Sequence, residues 1–375
     1  MKTYKNVTVL FDPQIFLLQR YGGISKYFSE IIRLFKSNPD LGITPVLETR
    51  KALSEQAISS LADFQMQRVK GRFSALLILA KYLSIRSSSN RDIDLLHTTF
   101  YLPGFLSRHK GLPHVATLHD MIPESAPKKF RLWNPHFAKK AFLSAASLVL
   151  SVSNSSIKPM VQKYGFSLTA ATTYLGVGPE FKPNLARPVA QEKPYFLYVG
   201  NRGGYKDCVT AIRAFSRLVN CSPSVRLVLT GGGPLRRSER ALLRKLGINH
   251  LVVQQTVSSE ELPNYYSNAV ALLYPTQIEG FGLPLVEAMA SGTAILASDT
   301  EVNKEICEEA ATYFSVGDSE ELAVKMHRLI TGTEDFAAKI TIGLKRASEF
   351  TWLVCAQKTA SAYRALLEGL QRGHK

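Results

Sequence analysis

Two glutamates on a glycine-rich stretch are the residues of this chain whose types and spacing best suit chemistry. Glu279 and Glu287 lie eight positions apart within the stretch Glu-Gly-Phe-Gly-Leu-Pro-Leu-Val-Glu-Ala-Met-Ala-Ser-Gly, which ends at Gly292. Apolar runs precede and follow this stretch, and they predict two buried parallel strands. Pro284 suits the first turn of a helix, and Gly292 suits its end. The pattern therefore predicts a loop from Glu279 to Leu283 that connects a strand to the N-terminus of a helix.

A loop of this kind can hold a negatively charged group. The helix N-terminus offers backbone N–H groups and the positive end of a dipole, and both favour an anion. Gly280 and Gly282 let a ligand approach the backbone closely. Because carboxylates repel phosphate but accept hydrogen bonds from sugar hydroxyls, we interpret the stretch as a phosphate site with a sugar hydroxyl at each glutamate. In the alternative interpretation, Glu279 is a turn residue and Glu287 is a solvated helix residue.

The stretch resembles the donor-site signature of a known enzyme family. Glu-x7-Glu within Glu-Gly-Phe-Gly-Leu-Pro-x-x-Glu-Ala-Met-Ala is similar to the signature of retaining GT-B glycosyltransferases of family 4, the mannosyltransferase-like glycosyl transferases group 1. The resemblance implies an α/β fold with two Rossmann-like domains facing across a cleft, and a C-terminal helix that crosses back to the N-terminal domain. It also implies a nucleoside-diphosphate sugar as the donor substrate, with Phe281 and Leu283 in the donor site, and neither a cofactor nor a bound metal.

A second glycine-rich loop, with two cations, follows the apolar run at residues 195–199. Its sequence is Gly-Asn-Arg-Gly-Gly-Tyr-Lys, from Gly200 to Lys206. Arg202 and Lys206 can neutralise a diphosphate that gains charge as it leaves. The family places a lysine six residues after the strand-end glycine, as here, but it often places its arginine directly after that glycine. This chain has Asn201 there, so Arg202 is shifted by one position from the family pattern.

Two further positions resemble the nucleotide side of the family's donor site. Gly231 and Gly232 follow the apolar run at residues 226–230, and Val257 lies where the backbone of the family meets the base. Neither position identifies the nucleobase.

In the first half of the chain, Gly22 and Gly23 precede a stretch with helical periodicity at residues 24–35. Two adjacent glycines permit a ligand to approach the backbone, although a simple turn also explains them. The dinucleotide fingerprint Gly-x-Gly-x-x-Gly does not occur here, which argues against NAD. The family resemblance implies that this glycine pair faces the donor phosphates and the acceptor.

His119 and Asp120 follow a strand predicted at residues 115–118. Ligands of parallel sheets bind at the carboxyl ends of the strands, so this histidine is well placed for a functional role, and Asp120 could orient its ring. A lone histidine is otherwise usually structural. The match to the family motif Thr-x-His-Asp-x-Ile-Pro implies that His119 approaches the donor sugar near the anomeric carbon.

Length and composition limit the class of protein. The 375 residues suffice for two α/β domains, and no apolar run approaches the 18 residues of a membrane span. The sequence begins with residues that lead directly into a predicted strand and do not resemble a signal peptide. The four cysteines show neither a paired spacing nor a zinc pattern. They are typical of a reducing compartment, which predicts a cytoplasmic protein.

The positive charge is concentrated in the first half. Residues 1–190 hold 25 Lys and Arg against 11 Asp and Glu, whereas residues 191–375 hold 21 against 19. No nucleic-acid-binding motif is present, so an anionic membrane surface or a lipid phosphate suits this charge better. Residues 66–91 and 128–142 combine basic and apolar side chains and are the candidate contacts for the inner face of the cytoplasmic membrane. Both segments are also typical of ordinary surface helices.

These observations predict a glycosyltransferase with an N-terminal acceptor domain (1–185), a C-terminal donor domain (190–350) and a final helix (351–375). We expect it to move a sugar from a nucleoside-diphosphate sugar to a glycan, or to a glycan on a lipid diphosphate, in the biosynthesis of O-antigen, capsule or exopolysaccharide. His119, Glu279, Lys206 and Arg202 are the expected catalytic residues. The alternatives are a sugar-nucleotide epimerase of the same fold and a non-catalytic subunit that binds nucleotide sugars.

Overall fold

The computed structural model describes residues 6–19, 22–47, 92–102, 109, 111–125, 136–165, 169–183, 193–222, 224–334 and 336–373. The predicted membrane segment 66–91 lies outside the described residues, as does most of the segment 128–142. The chain divides into two compact units, Met1–Leu175 with Trp352–Lys375, and Gly176–Thr351. The first division, between Leu175 and Gly176, therefore lies before the predicted domain boundary at residues 185–190.

The described residues of the first unit form a six-stranded parallel sheet in the order β2-β1-β3-β4-β5-β6. Its strands are β1 (Val7–Phe11), β2 (Ile43–Leu47), β3 (Leu95–Thr98), β4 (His114–Leu118), β5 (Leu148–Ser151) and β6 (Ala170–Thr172). Its helices are α1 (Gln14–Leu18), α2 (Gly23–Ser37), α3 (Ile122–Ser125), α4 (Lys139–Ser144), α5 (Ile157–Tyr164) and α13 (Trp352–Gly373), with a 3-10 turn at Pro39–Leu41.

Helix α2 shows why the sequence folds this way locally. Its apolar residues recur three or four positions apart, and Tyr27, Phe28, Ile31, Ile32 and Phe35 are all buried. A helix whose apolar stripe faces the sheet is stabilised mainly by that packing. Strands β3, β4 and β5 are buried at every position, as expected for the central strands of a sheet that is covered on both faces.

The C-terminal helix α13 packs on the first unit, which confirms the predicted crossing. Tyr363 is fully buried, and its hydroxyl lies 2.5 Å from Nδ1 of His97 on β3. Nε2 of the same histidine lies 2.7 Å from Oγ1 of Thr117 on β4. Arg364 donates a hydrogen bond of 2.8 Å to the carbonyl of Leu41. The helix is therefore joined to the core of the first sheet by polar contacts as well as by apolar packing.

The described residues of the second unit also form a parallel α/β arrangement, with a six-stranded sheet in the order β12-β11-β10-β7-β8-β9. Its strands are β7 (Tyr195–Val199), β8 (Arg226–Thr230), β9 (Val252–Gln255), β10 (Ala271–Tyr274), β11 (Ala294–Ser298) and β12 (Thr312–Phe314). Its helices are α6 (Cys208–Leu218), α7 (Arg237–Lys245), α8 (Leu262–Ser267), α9 (Leu283–Ala290), α10 (Glu301–Cys307), α11 (Ser319–Thr331) and α12 (Phe336–Ala347), with 3-10 turns at Gly204–Lys206 and Glu308–Ala310.

The strand order of the second unit reverses between β7 and β10, because β8 and β9 lie on one side of β7 and β10 to β12 lie on the other. In doubly wound sheets, ligands bind outside the carboxyl ends of the strands at such a switch point. The topology thus predicts a ligand site at the loops that follow β7 and β10. Among the described residues, no helix is both long and apolar enough to cross a membrane.

Candidate functional site

The second unit brings most of the predicted donor residues to one edge of its sheet. Four neighbouring strands, β10, β7, β8 and β9, end at this edge. The loops that follow them contain Glu279 to Leu283, Gly200 to Lys206, Gly231 with Gly232, and Val257. The sequence predicted each loop separately, and the parallel topology makes them neighbours.

The loops after β7 and β10 are bonded to each other. Nζ of Lys206 forms an ion pair with Oε1 of Glu279. Two further bonds from Gln277 join the loops, one from its backbone N–H to the carbonyl of Tyr205 at 2.8 Å and one from its side chain to Asp207 at 3.0 Å. The lysine side chain is 20% exposed, so part of it is accessible to solvent.

The turn into helix α9 needs its second glycine. Gly282 has a φ of 96°, in the left-handed region that favours glycine. A Cβ atom there would lie 3.0 Å from Leu285 and 3.3 Å from the hydroxyl of Tyr274. Phe281 is buried and packs edge-on against Phe350, with ring centroids 5.8 Å apart. Its aromatic ring therefore anchors the loop in the core, and only its backbone remains suited to a ligand.

Glu287 is buried within helix α9, which contradicts the alternative interpretation that it is a solvated helix residue. It is 6% exposed, and its Oε2 accepts a hydrogen bond of 2.9 Å from the hydroxyl of Tyr266. Tyr266 is itself fully buried against Phe181. A carboxylate held in this way has a fixed orientation and can accept hydrogen bonds from hydroxyl groups.

The structure gives Arg202 different partners from the predicted phosphate. The residue is 4% exposed, and its guanidinium donates to the carbonyls of Gly231, Gly233 and Pro234 and pairs with the carboxylate of Glu239. These groups take up most of the N–H donors of the guanidinium inside the protein. In this structure Arg202 therefore contacts the loop after β8, and its direct contact with the diphosphate stays a prediction.

In the first unit, His119 lies at the carboxyl end of β4, as predicted. Its ring packs edge-on against Tyr27 and Phe28 of helix α2, with centroids 5.4 Å and 5.8 Å away. Burial lowers the pKa of His119 to about 3, so the imidazole is neutral at physiological pH. Its Nε2 is buried and has no hydrogen-bond partner among the described residues. The ring is thus a buried, uncharged group whose Nε2 has no partner among the described residues.

The glycine pair at the start of helix α2 is explained in part by a neighbouring side chain. A Cβ atom on Gly22 would lie 2.1 Å from the side-chain amide of Gln19, whose Oε1 accepts a bond of 3.4 Å from the backbone N–H of Ser25. Gln19 therefore occupies the space beside Gly22. Gly23 is the first residue of helix α2 and is exposed.

Asp120 does not orient the ring of His119, as the sequence suggested, but pairs with a buried lysine. Nζ of Lys139 lies 3.6 Å from Oδ1 of Asp120 and 2.9 Å from Oε2 of Glu124. Burial alone would raise the pKa of Asp120, but the positive charge of Lys139 and a hydrogen bond of 3.0 Å from the backbone N–H of Ile122 act against it, and the pKa is lowered. The other oxygen of Glu124 accepts a bond of 2.6 Å from Tyr164. Lys139 therefore fixes the loop that follows His119.

We predict that Lys139→Met destabilises the first unit by about 3–5 kcal/mol. The substitution removes the positive charge that pairs with Asp120 and Glu124, and it leaves both carboxylates largely buried without it. The measurement is the unfolding midpoint in urea. Lys140→Met is the matched control, since Lys140 is the next residue on the same helix and is exposed. Equal stability of the two variants would contradict this role of Lys139.

Sequence reasoning missed a polar network at the switch point of the first sheet. Asp12, directly after β1, is fully buried and accepts bonds from the backbone N–H groups of Gln14 and Thr99, both at 2.8 Å. Burial raises its pKa to about 7. The side chain of Gln14 in turn accepts a bond of 2.6 Å from the N–H of Leu102. The signal was available, because an acidic residue directly follows an apolar strand.

Among the described residues, no group of three or more His, Cys, Asp or Glu side chains is arranged to hold a metal ion. The described cysteines are free thiols, at positions 208, 221, 307 and 355.

Comparison with known proteins gives two family matches that together span most of the chain. Residues 21–181 match the family described as Glycosyltransferase Family 4, and residues 184–342 match the family described as Glycosyl transferases group 1. The chain is 26% identical over 292 residues to the O-antigen chain mannosyltransferase B of Escherichia coli, covering 71% of this chain and 73% of that protein. It is 25% identical to the D-inositol 3-phosphate glycosyltransferase of Thermobifida fusca, covering 73% and 70%.

Solved structures share the fold over nearly the whole chain. Sucrose-phosphate synthase of Thermosynechococcus elongatus superposes with a TM-score of 0.77 at 19% identity. The superposition covers 97% of this chain and 100% of that chain. The HepE protein of Anabaena in complex with UDP-glucose gives a TM-score of 0.71 at 18% identity, covering 98% of this chain and 100% of that chain. The family matches, the two parallel α/β units and these likenesses agree. The chain belongs to glycosyltransferase family 4, has the GT-B fold and is a glycosyltransferase.

Proposed function

We propose that the protein transfers a sugar, with retention of its anomeric configuration, from a nucleoside-diphosphate sugar to a hydroxyl of a glycan acceptor in polysaccharide biosynthesis. The observation that carries this proposal is the bonded pair of loops after β7 and β10, which places Lys206 beside Glu279 at the start of helix α9. The names of the relatives support the polysaccharide, since several are O-antigen mannosyltransferases. We further propose that the acceptor glycan is carried on a lipid diphosphate.

Each donor residue has a proposed role that follows from its surroundings. The ammonium of Lys206 and the N-terminus of helix α9 hold the diphosphate, where negative charge grows as the glycosidic bond breaks. Glu287 accepts hydrogen bonds from the ribose hydroxyls, and Glu279 accepts one from the donor sugar. The neutral imidazole of His119 serves as a hydrogen-bonding group toward a sugar hydroxyl, because its low pKa prevents it from acting as a cation.

A turnover assay with and without acceptor tests this function. The protein is incubated with nucleoside-diphosphate sugars, and the released nucleotide and the products are identified by mass spectrometry. A glycosyltransferase releases nucleoside diphosphate and extends the acceptor, an epimerase interconverts the nucleotide sugar without an acceptor, and a binding subunit does neither. Acceptor extension supports the proposal. Either of the other two outcomes contradicts it, and the relatives, which are named as transferases, do not favour them.

We propose that the donor diphosphate is held without a metal ion. Lys206 and the helix N-terminus supply the positive potential that a divalent cation supplies in other enzymes. Transfer activity is therefore expected to survive an excess of EDTA. Complete loss of activity that Mg²⁺ or Mn²⁺ restores would contradict this proposal.

We also propose that the basic first half contacts the inner face of the cytoplasmic membrane. Within the described residues, Phe137 is 65% exposed, beside the exposed Lys140, and helix α5 exposes Lys158 and Lys163. An exposed aromatic ring three positions before an exposed lysine suits the interface of an anionic bilayer, and the other two lysines add positive charge to the same unit.

Vesicle sedimentation tests this contact. The protein is expected to bind vesicles that contain anionic lipid, to bind less as the salt concentration rises, and to leave neutral vesicles unbound. Phe137→Ser with Lys140→Glu should weaken this binding. Lys304→Glu is the control, because Lys304 is a surface residue of the second unit. Equal binding to neutral and anionic vesicles, or none to either, would contradict the contact.

A further inference from the structure

The loop after β8 has a backbone that few sequences can adopt. Gly231, Gly232 and Gly233 are three consecutive residues with positive φ, at 86°, 69° and 71°. All three are exposed, together with Pro234. A Cβ atom on Gly231 would lie 2.9 Å from the carbonyl oxygen of Gly200 on the neighbouring loop. Since glycine is also the most flexible residue in the unfolded chain, a three-glycine loop holds one shape only where other groups fix it.

The group that fixes this loop is the side chain of Arg202. Its Nη2 donates to the carbonyl oxygens of Gly233 at 2.7 Å and Pro234 at 2.9 Å, and its Nη1 donates to that of Gly231. The side chain of Arg202 is 1% exposed, whereas the loop that it holds is exposed. Arg202 therefore lies beneath the loop and binds its inner carbonyl oxygens.

Glu239 completes this arrangement on helix α7. Its Oε1 accepts from Nε of Arg202 at 3.2 Å, and its Oε2 accepts from the backbone N–H of Arg236 at 2.6 Å, the residue before the helix. The carboxylate thus compensates the charge of Arg202 and holds the first turn of the helix to which the loop leads. Like Arg202, it is buried, at 8% exposed.

We propose that Arg202 is a positioning residue that holds the Gly231–Pro234 loop in the shape required by the donor nucleotide, and that it does not contact the donor itself. This proposal rests on the proposed function of the same site. Its positive charge is compensated by Glu239, and its planar set of N–H groups is directed at carbonyl oxygens of the protein. Lys206 is then the cation of the β7 loop that acts on the diphosphate.

Substitution of Glu239 tests the proposal most directly, because the two possible roles of Arg202 predict different effects of this substitution on the donor KM. If Arg202 only positions the loop, Glu239→Gln weakens its support, and we expect the donor KM to rise about 10-fold, as when a partner that orients a binding group is lost. If Arg202 bound the diphosphate directly, Glu239→Gln would release the guanidinium for that purpose. The donor KM would then stay the same or fall.

Arg202→Lys and the double variant Arg202→Lys, Glu239→Gln complete a cycle. A single ammonium cannot replace the fork of N–H groups, so Arg202→Lys should raise the donor KM although it keeps the charge. The effects of the two changes should not add, since both disrupt one unit. We expect kcat at saturating donor to stay within about threefold of wild type, because Lys206 is unchanged. A full set of unfolding curves separates this KM effect from a loss of folded protein.

Arg217→Lys is the matched control, because Arg217 also pairs with a glutamate, Glu320, at 2.8 Å, but on the surface. It should behave as wild type. The proposal is overturned if Glu239→Gln leaves the donor KM unchanged, or if Arg202→Lys keeps the wild-type KM. Failure of the proposed function is distinguishable from failure of this proposal, because the wild-type protein would then transfer no sugar.

Discussion

Replacing Lys206 with alanine lowers kcat by about 100-fold or more, the effect expected when one preorganised donor to a developing negative charge is lost. The diphosphate gains charge as the glycosidic bond breaks, so the ammonium interacts more strongly with the transition state than with the bound donor. The change is measured by steady-state kinetics with the donor at saturation.

Lys206→Arg provides the control for charge. It should recover part of the lost rate, because the positive charge returns in a different shape. The ion pair with Glu279 adds a second control, since Glu279→Gln leaves Lys206 in place. Because Glu279 is proposed to contact the reacting sugar, Glu279→Gln should affect both kcat and the donor KM. A Lys206→Ala enzyme that kept its full kcat would contradict the role proposed for this lysine.

Glu287→Ala should raise the donor KM by roughly 10- to 100-fold and change kcat little, since a hydrogen bond to a charged group contributes about 1.5–3 kcal/mol. Ribose does not change during the reaction, so the carboxylate binds the ground state and the transition state equally. Steady-state kinetics with varied donor at saturating acceptor measures both constants.

Tyr266→Phe is the matched control for Glu287. It removes the hydrogen bond of 2.9 Å from the tyrosine but keeps the carboxylate, so its effect on the donor KM should be smaller. Glu287→Gln keeps the size of the side chain and should fall between the two. If Glu287→Ala abolished kcat and left KM unchanged, the carboxylate would act in the chemical step and not on ribose.

The elements around the donor site could be predicted from the sequence because their signals are local. Pro284 and Gly292 marked helix α9, which spans Leu283–Ala290, and Gly292 has the positive φ of a residue after a helix end. The apolar runs before Gly200 and Gly231 are strands β7 and β8. Parallel strands buried on both faces lack polar alternation, so a continuous apolar run is a strong signal for them.

The partners of the charged residues could not be predicted in the same way. Lys206 pairs with a residue 73 positions away, and Arg202 pairs with Glu239, 37 positions away. A sequence shows which charges are present but not which of them come together in the fold, so the sequence alone predicts the same role for Arg202 and Lys206. The structure distinguishes them by burial, since the side chain of Arg202 is 1% exposed and that of Lys206 is 20% exposed.

In the first unit, too, the partner of a charged residue could not be predicted from the sequence. His119 and Asp120 are adjacent in sequence, and this adjacency predicts that the carboxylate orients the ring. The structure pairs Asp120 with Lys139 instead, nineteen residues later, because a buried lysine without partners would be costly. The alternation of lysines and aromatic residues near position 139 suggested a surface helix, and nothing in it distinguished the buried Lys139 from the exposed Lys140.

A nucleotide titration of the full chain tests most directly whether the carboxyl edge of the second sheet is a donor site. UDP, GDP, dTDP and ADP are titrated separately, and the unfolding midpoint is followed for wild type, Lys206→Ala, Glu287→Ala and the control Arg217→Lys. At least one nucleoside diphosphate should stabilise the wild type and the control, by about 2.7 kcal/mol at a concentration 100 times its Kd, and both site variants should require more of it. The absence of any stabilisation, or the same response in all four proteins, would contradict a donor site at this edge.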